Sequence, residues 1–336
     1  MSKIGKRVCV VGAGVIGLST AVRLLDVAPS LQVTVVADLF TPFTTSDGAA
    51  GVNVFWNYQP DSLLYKWGFS TYMYGQKLYK ENGHLTGVQQ FFTVDIYDKE
   101  TNCINASDID RRKLSYKELE ALYPGSGYRY GTSSLTYLTE CKIYLPWLMK
   151  RFKLKGGNVL HRHVNSFDEI AADYDVIVNC SGLGARQLAH DDSIKPVRGQ
   201  IFRVKAPWIK IATYDHDKMT YIFPRSNDVI VGGVYQHDNW DLSINHQDRE
   251  NIWKRACKMD PSLKHAHIIN EWVGLRPGRP EVRLEREVIV VNGKKVNVVH
   301  NYGHSSRGIT LHWGCAVDAS QLVLQCLQLN TVQSRL

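Results

Sequence analysis

Three groups of residues in this 336-residue chain have the types and spacing to carry chemistry. The first is Gly12-Ala13-Gly14-Val15-Ile16-Gly17, followed by Asp38. The first glycine permits a tight turn, the second lets backbone N–H groups approach a pyrophosphate, and the third lets a helix pack closely on a strand. The N-terminus of that helix favours negative charge. Asp38 stands about 20 residues beyond the last glycine, where a carboxylate can hydrogen-bond a ribose hydroxyl. The pattern fits an adenine dinucleotide and does not separate FAD from NAD. The second group is the run Gly274 to Arg283, in which Pro277 and Pro280 forbid a helix and hold Arg279 and its neighbours extended. It reads either as a rigid mount for a guanidinium that grips a carboxylate or as a solvated basic strand. The third is His300 to Thr310, leading to His312-Trp313-Gly314, where small residues precede a helix and a backbone can close over a ligand. No carboxylate or cysteine sits there at ligand spacing, so its histidines read as satisfied core residues and no metal site is expected.

The elements around these groups follow from hydrophobic periodicity. Lys6 to Val11 reads as a strand, Ile16 to Leu25 as a helix and Gln32 to Ala37 as a second parallel strand, with the glycine turn between the first two. Thr41 to Gly51 has a loop composition rich in small hydroxyls, which suits contact with a cofactor. Asn53 to about Tyr137 is aromatic and mixed, with a helix near Leu63 to Tyr79 and no named chemistry. Tyr144 to Leu154 reads as a helix, and Tyr174 to Cys180 as a strand buried on both faces of a sheet. Gln200 to Val204, Thr220 to Phe223, Val229 to Val234 and Val288 to Val291 are strand candidates with meander spacing, which suggests a second, largely antiparallel layer. Val296 to Asn301 completes the strands, His304 to Gly308 a turn, and Gly314 to Leu327 a terminal helix.

Composition excludes several classes. The net charge is +8, but the 40 Lys and Arg residues are dispersed, so no nucleic-acid footprint is indicated. Seven cysteines are scattered without a C-x-x-C pair, which argues for reduced thiols and an intracellular compartment. The apolar stretch Val8 to Val15 is far shorter than the roughly 20 residues a membrane span needs. The sequon at Asn179 follows an apolar strand and reads as buried structure. The chain ends in Ser334-Arg335-Leu336, one conservative step from the peroxisomal address S-K-L.

Taken together, VVGAGVIGLSTA (Val10 to Ala21), ADLFTPFTTSDGAAG (Ala37 to Gly51), VIVNCSGLGARQL (Val176 to Leu188), PVRGQ (Pro196 to Gln200), GLRPGRPEVRLE (Gly274 to Glu285) and HNYGHSSRGITLHWG (His300 to Gly314) resemble the D-amino acid oxidase and D-aspartate oxidase family, and D-aspartate oxidase more closely. The resemblance implies FAD as cofactor and an α/β architecture. In it a Rossmann-like FAD-binding domain of residues 1–52, 142–195 and 273–336 interleaves with a mostly antiparallel α+β substrate domain of residues 53–141 and 196–272. It implies oxidative deamination of a D-amino acid to a 2-oxo acid, ammonia and hydrogen peroxide, with O2 as acceptor.

By the same resemblance, Arg276 and Tyr221 hold the substrate α-carboxylate and Ser306 presents its backbone carbonyl to the amine. The cofactor candidates are Gly12 to Gly17, Asp38, Thr44, Thr45, Ser46, Gly51, Val164, Cys180-Ser181-Gly182, and Ser305 through Thr310 (Ser305, Ser306, Arg307, Gly308, Ile309, Thr310). A short interval from Trp208 to Tyr221, together with Ser306, points toward acidic substrates. Tyr214 and Tyr235, which stand where the aspartate enzymes resembled carry arginines, point toward neutral or broad preference. If the substrate is acidic, His216, Lys218 or Arg307 must supply the charge, or tyrosine hydroxyls must suffice. The segment Asn53 to Tyr58 departs from the family pattern. A flavin-binding protein without oxidase activity and an NAD-dependent dehydrogenase are the readings from other classes. A peroxide-forming activity gives Ser334-Arg335-Leu336 a purpose as a ligand of the peroxisomal import receptor and implies a peroxisomal location.

Overall fold

The structure, a computed structural model, describes residues 5–55, 58–100 and 110–329. Arg7–Val11 is a strand buried at every position after the first, and it pairs in parallel with Gln32–Ala37 on one side and Val176–Asn179 on the other. Strands covered on both faces must be apolar throughout, which is why these three read as nearly unbroken Val and Ile runs. Asn158–His161 extends the parallel block beyond Gln32–Ala37, and Lys294–His304 extends it beyond Val176–Asn179. Asn179 is fully buried, as its place at the end of an apolar strand leads one to expect.

The helix Val15–Val27 crosses between the first two strands, and most of its residues are buried. It packs against the last helix, Gly308–Leu327, and against Cys141–Leu154, so it has little wet face to display. The main core lies here, built from Val8, Val10, Leu18, Val22, Val33, Val35 and Val178 among others.

The remaining strands are mostly antiparallel. From the parallel block outward they run Lys195–Lys205, Val229–Gly232, Thr220–Pro224, Ala212–Asp215, Val88–Tyr97, Tyr130–Thr139 and Arg111–Leu114, with one parallel pairing between Val88–Tyr97 and Ala212–Asp215. The long strand His267–Val291 joins the two halves. Residues 267–278 pair with Lys195–Lys205, residues 283–291 pair with Lys294–His304, and the register breaks between Gly278 and Arg283. The expected second layer is therefore a continuation of one sheet. The chain enters the parallel block in three stretches, 7–37, 158–179 and 294–304, laying down antiparallel strands in between.

Three strands between Val88 and Thr139 escape the periodicity. Val88–Tyr97, for example, mixes Gln and Phe at its outer end and is continuously buried only over 93–96. The helix expected from Leu63 to Tyr79 continues to Thr86 past a non-helical residue at Asn82. The last helix starts at Gly308, six residues earlier than the periodicity indicates, because its first turn holds Gly and Thr, weak helix formers. Among the described residues no helix is long and apolar enough to cross a membrane. Ser334-Arg335-Leu336 and Cys103 lie outside the described residues.

Candidate active site

A cavity of about 900 Å3 opens where the parallel and antiparallel halves meet. Every residue given a cofactor or substrate role from the sequence lines it except Gly17, which packs beneath its floor, and Lys218, which faces elsewhere; Arg279, held extended between prolines, is not in the lining and is taken by Asp191 at 2.9 Å.

At the parallel end the glycine turn is shaped by close approach. Gly12 sits at φ 108°, and a Cβ there would meet the Cys180 carbonyl oxygen at 2.4 Å. A Cβ on Gly17 would land 1.9 Å from the Gly12 oxygen, so the helix rests directly on the turn. Gly14 is the residue before the first helical turn and brings no side-chain cap, and no acidic residue lies in that turn. Ser46 Oγ accepts from the Val15 N–H at 3.1 Å. The other amides of that first turn have no intrahelical acceptor, which is the arrangement that holds a phosphate anion. Asp38 lies at the end of the next strand; its Oδ2 is 2.8 Å from His163 Nδ1, and its backbone oxygen accepts from His161 Nε2 at 2.7 Å. Thr44 caps the short turn Thr45–Gly48 together with Asp47, and Thr45 Oγ1 donates to the Leu275 carbonyl at 3.3 Å, tying this wall to the arginine-bearing strand. Gly51 needs its φ of 91° because a Cβ would strike the Thr139 oxygen at 2.2 Å.

The last helix begins in the same cavity. Ser305–Arg307 forms a single turn ahead of Gly308, and Arg307 offers no side-chain cap to the helix. A second helix N-terminus, with its partial positive charge, therefore faces the space. The three histidines of this region differ. His312 donates from Nδ1 to the Ile309 carbonyl at 2.7 Å and accepts at Nε2 from Tyr144 at 2.9 Å, while His300 Nε2 meets Glu287 at 2.8 Å. These two are satisfied core residues as expected. His304 is not: it is buried, lines the cavity, and its Nε2 has no partner among the described residues. Burial, then the nearby Arg307 charge, push its pKa down to about 3, so the ring is neutral. Asn301 Oδ1, also buried in the wall, is likewise unpartnered. Orphaned polar atoms in the wall, a glycine cradle and two helix N-termini whose N-cap residues give no side-chain cap fit an extended dinucleotide that carries both phosphates and ring heteroatoms. No cluster of His, Cys, Asp or Glu able to hold a metal occurs among the described residues.

At the antiparallel end, Arg276 Nη1 donates to the carbonyls of Val234 (3.3 Å) and Val197 (3.5 Å), and no carboxylate neutralises it among the described residues. Its guanidinium stands 5.5 Å from the ring centroid of Tyr235, whose hydroxyl is fixed by a 2.7 Å hydrogen bond with Ser305 Oγ. Tyr221 reaches the same guanidinium; burial raises its pKa and the Arg276 charge opposes the rise, so the phenol stays protonated. Tyr214 faces Tyr221 across the neighbouring strand, with centroids 5.9 Å apart, and its pKa is pushed up to about 12, first by burial. His216 lies against Tyr214 and is held by Asp95, a buried carboxylate 2.8 Å from its Nε2. Lys218 is taken up by Asp98 and Asp215 at 3.0 and 3.1 Å and drops out as a side-chain reader.

Several wall residues were missed from sequence. Gly199 permits Arg276 to lie flat, since a Cβ there would sit 2.5 Å from both terminal nitrogens. Gly232 lies directly opposite Tyr221, and Cβ atoms on Gly232 or Gly233 would come within 2.5 and 2.7 Å of its hydroxyl. Trp272 fills the junction between Gly48 and Gly274, either of which would collide with the indole if it carried a methyl group. A glycine inside a strand signals close approach of something. The sequence does not say of what. Tyr58, at the end of the divergent segment, also lines the cavity, while Phe55 is buried in an aromatic cluster outside it.

Against known proteins, residues 7–322 match the family described as FAD dependent oxidoreductase. The chain is 41% identical over 330 residues to a D-aspartate oxidase of Homo sapiens, covering 96% of this chain and 95% of that protein. It is 38% identical over 331 residues to a D-amino acid oxidase of Dugesia ryukyuensis, covering 95% and 98%. Its fold is similar to that of glycine oxidase from Geobacillus kaustophilus, with a TM-score of 0.81 at 18% identity over 97% of this chain and 96% of that one.

Proposed function

The chain belongs to the FAD dependent oxidoreductase family, with FAD as its cofactor, and from that premise we propose that it deaminates D-amino acids oxidatively, leaning to acidic substrates. The observation that carries the proposal is a guanidinium without a carboxylate partner, Arg276, beside a protonated Tyr221, in a cavity continuous with the glycine cradle.

Arg276 receives the substrate α-carboxylate on its planar fork, and Tyr221 donates to the same group. Because burial keeps the phenol protonated past its usual range, that donor persists across the neutral and mildly alkaline range. Ser306 offers its carbonyl to the amine. Tyr235, pinned by Ser305, and Tyr214 wall the side-chain space. Held by the glycine cradle and the Ser305 to Thr310 turn, FAD would supply a two-electron acceptor for the α-hydrogen as hydride, the amine losing one N–H proton to give the imino acid, and O2 would take up the two electrons and two protons as hydrogen peroxide. The imino acid then hydrolyses to a 2-oxo acid and ammonia. With the amine bound neutral the chain needs no strong side-chain base, and its work is orientation and exclusion of water.

The D-aspartate oxidase relative at 41% identity supports the acidic leaning. The paired Tyr214 and Tyr235 favour a second reading, neutral or broad preference. Peroxide release from D-Asp, D-Glu, N-methyl-D-Asp, D-Ala and D-Met decides: preference for D-Ala or D-Met overturns the acidic leaning, and no release from any of them overturns the oxidase. We also propose that Ser334-Arg335-Leu336 addresses the chain to peroxisomes through the import receptor. Removing Leu336 should turn a punctate distribution cytosolic, and an unchanged pattern rejects the address.

A further inference from the structure

Seven charged or titratable nitrogen- and carboxylate-bearing residues line the cavity, and all but three are committed. Arg162 is taken by Glu169 at 2.8 Å, His163 and Asp38 by one another at 2.8 Å, and His216 by Asp95 at 2.8 Å. His304 is buried and neutral. That leaves Arg276 and Arg307 as wall cations with no carboxylate partner among the described residues, and the Arg307 side chain makes no hydrogen bond with any of those residues. The two are connected through one side chain. Tyr235 stacks its ring 5.5 Å from the Arg276 guanidinium and hydrogen-bonds Ser305, two residues before Arg307. Tyr58 feels the charge of Arg307 and the phenol of Tyr235 together, which places all three on one stretch of wall.

We propose that Arg307 is a specificity-determining residue: it receives the second carboxylate of an acidic D-amino acid whose α-carboxylate rests on Arg276, with Tyr235 and Tyr58 forming the wall between the two anion positions. This deepens the oxidase reading and rests on it. A cavity with one free guanidinium recognises a monocarboxylate. A second, permanently charged and otherwise uncompensated, makes a dicarboxylate the better ligand. Nothing else in the wall supplies that charge, since the remaining cations already face carboxylates.

The test uses the FAD-loaded protein and the variants Arg307→Gln and Arg307→Lys. The ratio of kcat/KM for D-Asp to that for D-Ala should fall about tenfold to a hundredfold in Arg307→Gln and recover in part in Arg307→Lys, the range expected for one charge-assisted contact. Succinate and propionate, titrated by their perturbation of the flavin absorbance, provide a readout independent of turnover: Arg307→Gln should weaken succinate about tenfold or more relative to propionate. A D-Asp to D-Ala ratio unchanged in Arg307→Gln, or equal loss for succinate and propionate, overturns the inference. So does a variant whose main defect is FAD loss at unchanged ratio. If the wild-type protein oxidises no D-amino acid, the oxidase reading fails, and the succinate comparison alone then decides whether Arg307 reads a second carboxylate.

Discussion

Arg276 concentrates the chemistry of the site into one side chain whose surroundings are mostly backbone. Carbonyls of Val197 and Val234 hold one nitrogen, Gly199 gives the fork a flat bed, and the charge is left for a ligand. Replacing it with Leu should lower kcat/KM at least about a hundredfold, because a bidentate charge-assisted pair is lost. Arg276→Lys should recover only part of that loss, a point charge being a poor substitute for a planar fork. Steady-state peroxide assays with both variants check this, and near-normal turnover in Arg276→Leu would remove the residue from its role. Pro277 and Pro280 bracket Arg279, which Asp191 takes at 2.9 Å; Arg276 itself was legible through the family resemblance of Gly274 to Glu285. Its bed at Gly199 was not, because that contact arises from a strand pairing between residues more than seventy positions apart, which local pattern does not encode. The same holds for the contact of Trp272 with Gly48, which joins a strand to a turn more than two hundred positions away.

At the scale of elements, the glycine turn works through two contacts of unequal tightness. A methyl group on Gly17 would sit 1.9 Å from the Gly12 oxygen, whereas one on Gly14 would meet only Ser46 Oγ at 3.2 Å. Gly17→Ala should therefore push the helix off the turn, cost about 2–3 kcal/mol and strip FAD, while Gly14→Ala should be much milder toward folding. Thermal melts and the flavin content of the purified variants compare the two, and equal behaviour would contradict this account of the turn. The βαβ start was readable because its signals are local: a β-branched run, three glycines, an apolar period. Val88–Tyr97 and Arg111–Leu114 were not, because burial along them is uneven and the alternation breaks up, and Tyr130–Thr139 was not, because it is buried nearly throughout yet rich in Gly, Ser and Thr.

For the whole molecule, acid should be the weak side. Burial drives His304 down to about 3 and His312 to about 4, so both are neutral in the native state while an unfolded chain takes up protons below pH 6.5. The unfolded state binds more protons in that window, so the stability these two rings allow is present above pH 6.5 and lost as pH falls toward 4. Each contributes a slope of up to about 1.4 kcal/mol per pH unit. Denaturation midpoints from pH 7 to pH 4 should drop accordingly, and His312→Asn should flatten part of the fall. A midpoint independent of pH would contradict it. The general plan, a parallel dinucleotide unit and an antiparallel remainder, was visible in the spacing of strands; their fusion into one sheet was not, since within His267–Val291 the sequence shows only an extended, proline-bearing run at Gly274 to Arg283 and a short strand candidate at Val288 to Val291. That strand has a further consequence. It bears Arg276 on the stretch joined to Lys195–Lys205, and its next stretch is hydrogen-bonded to the strand leading into Ser305–Arg307. The separation between the two guanidinium groups is therefore metered in whole residues through the pairing of Gly278 with His304, on the Arg276 side of the Gly278 to Arg283 break. One residue added between Arg276 and Gly278 would shift that group by about 3.3 Å and reverse its side chain, so, with a carboxylate on each group, the reach of the substrate is written in a count of backbone units as much as in the pocket's own side chains.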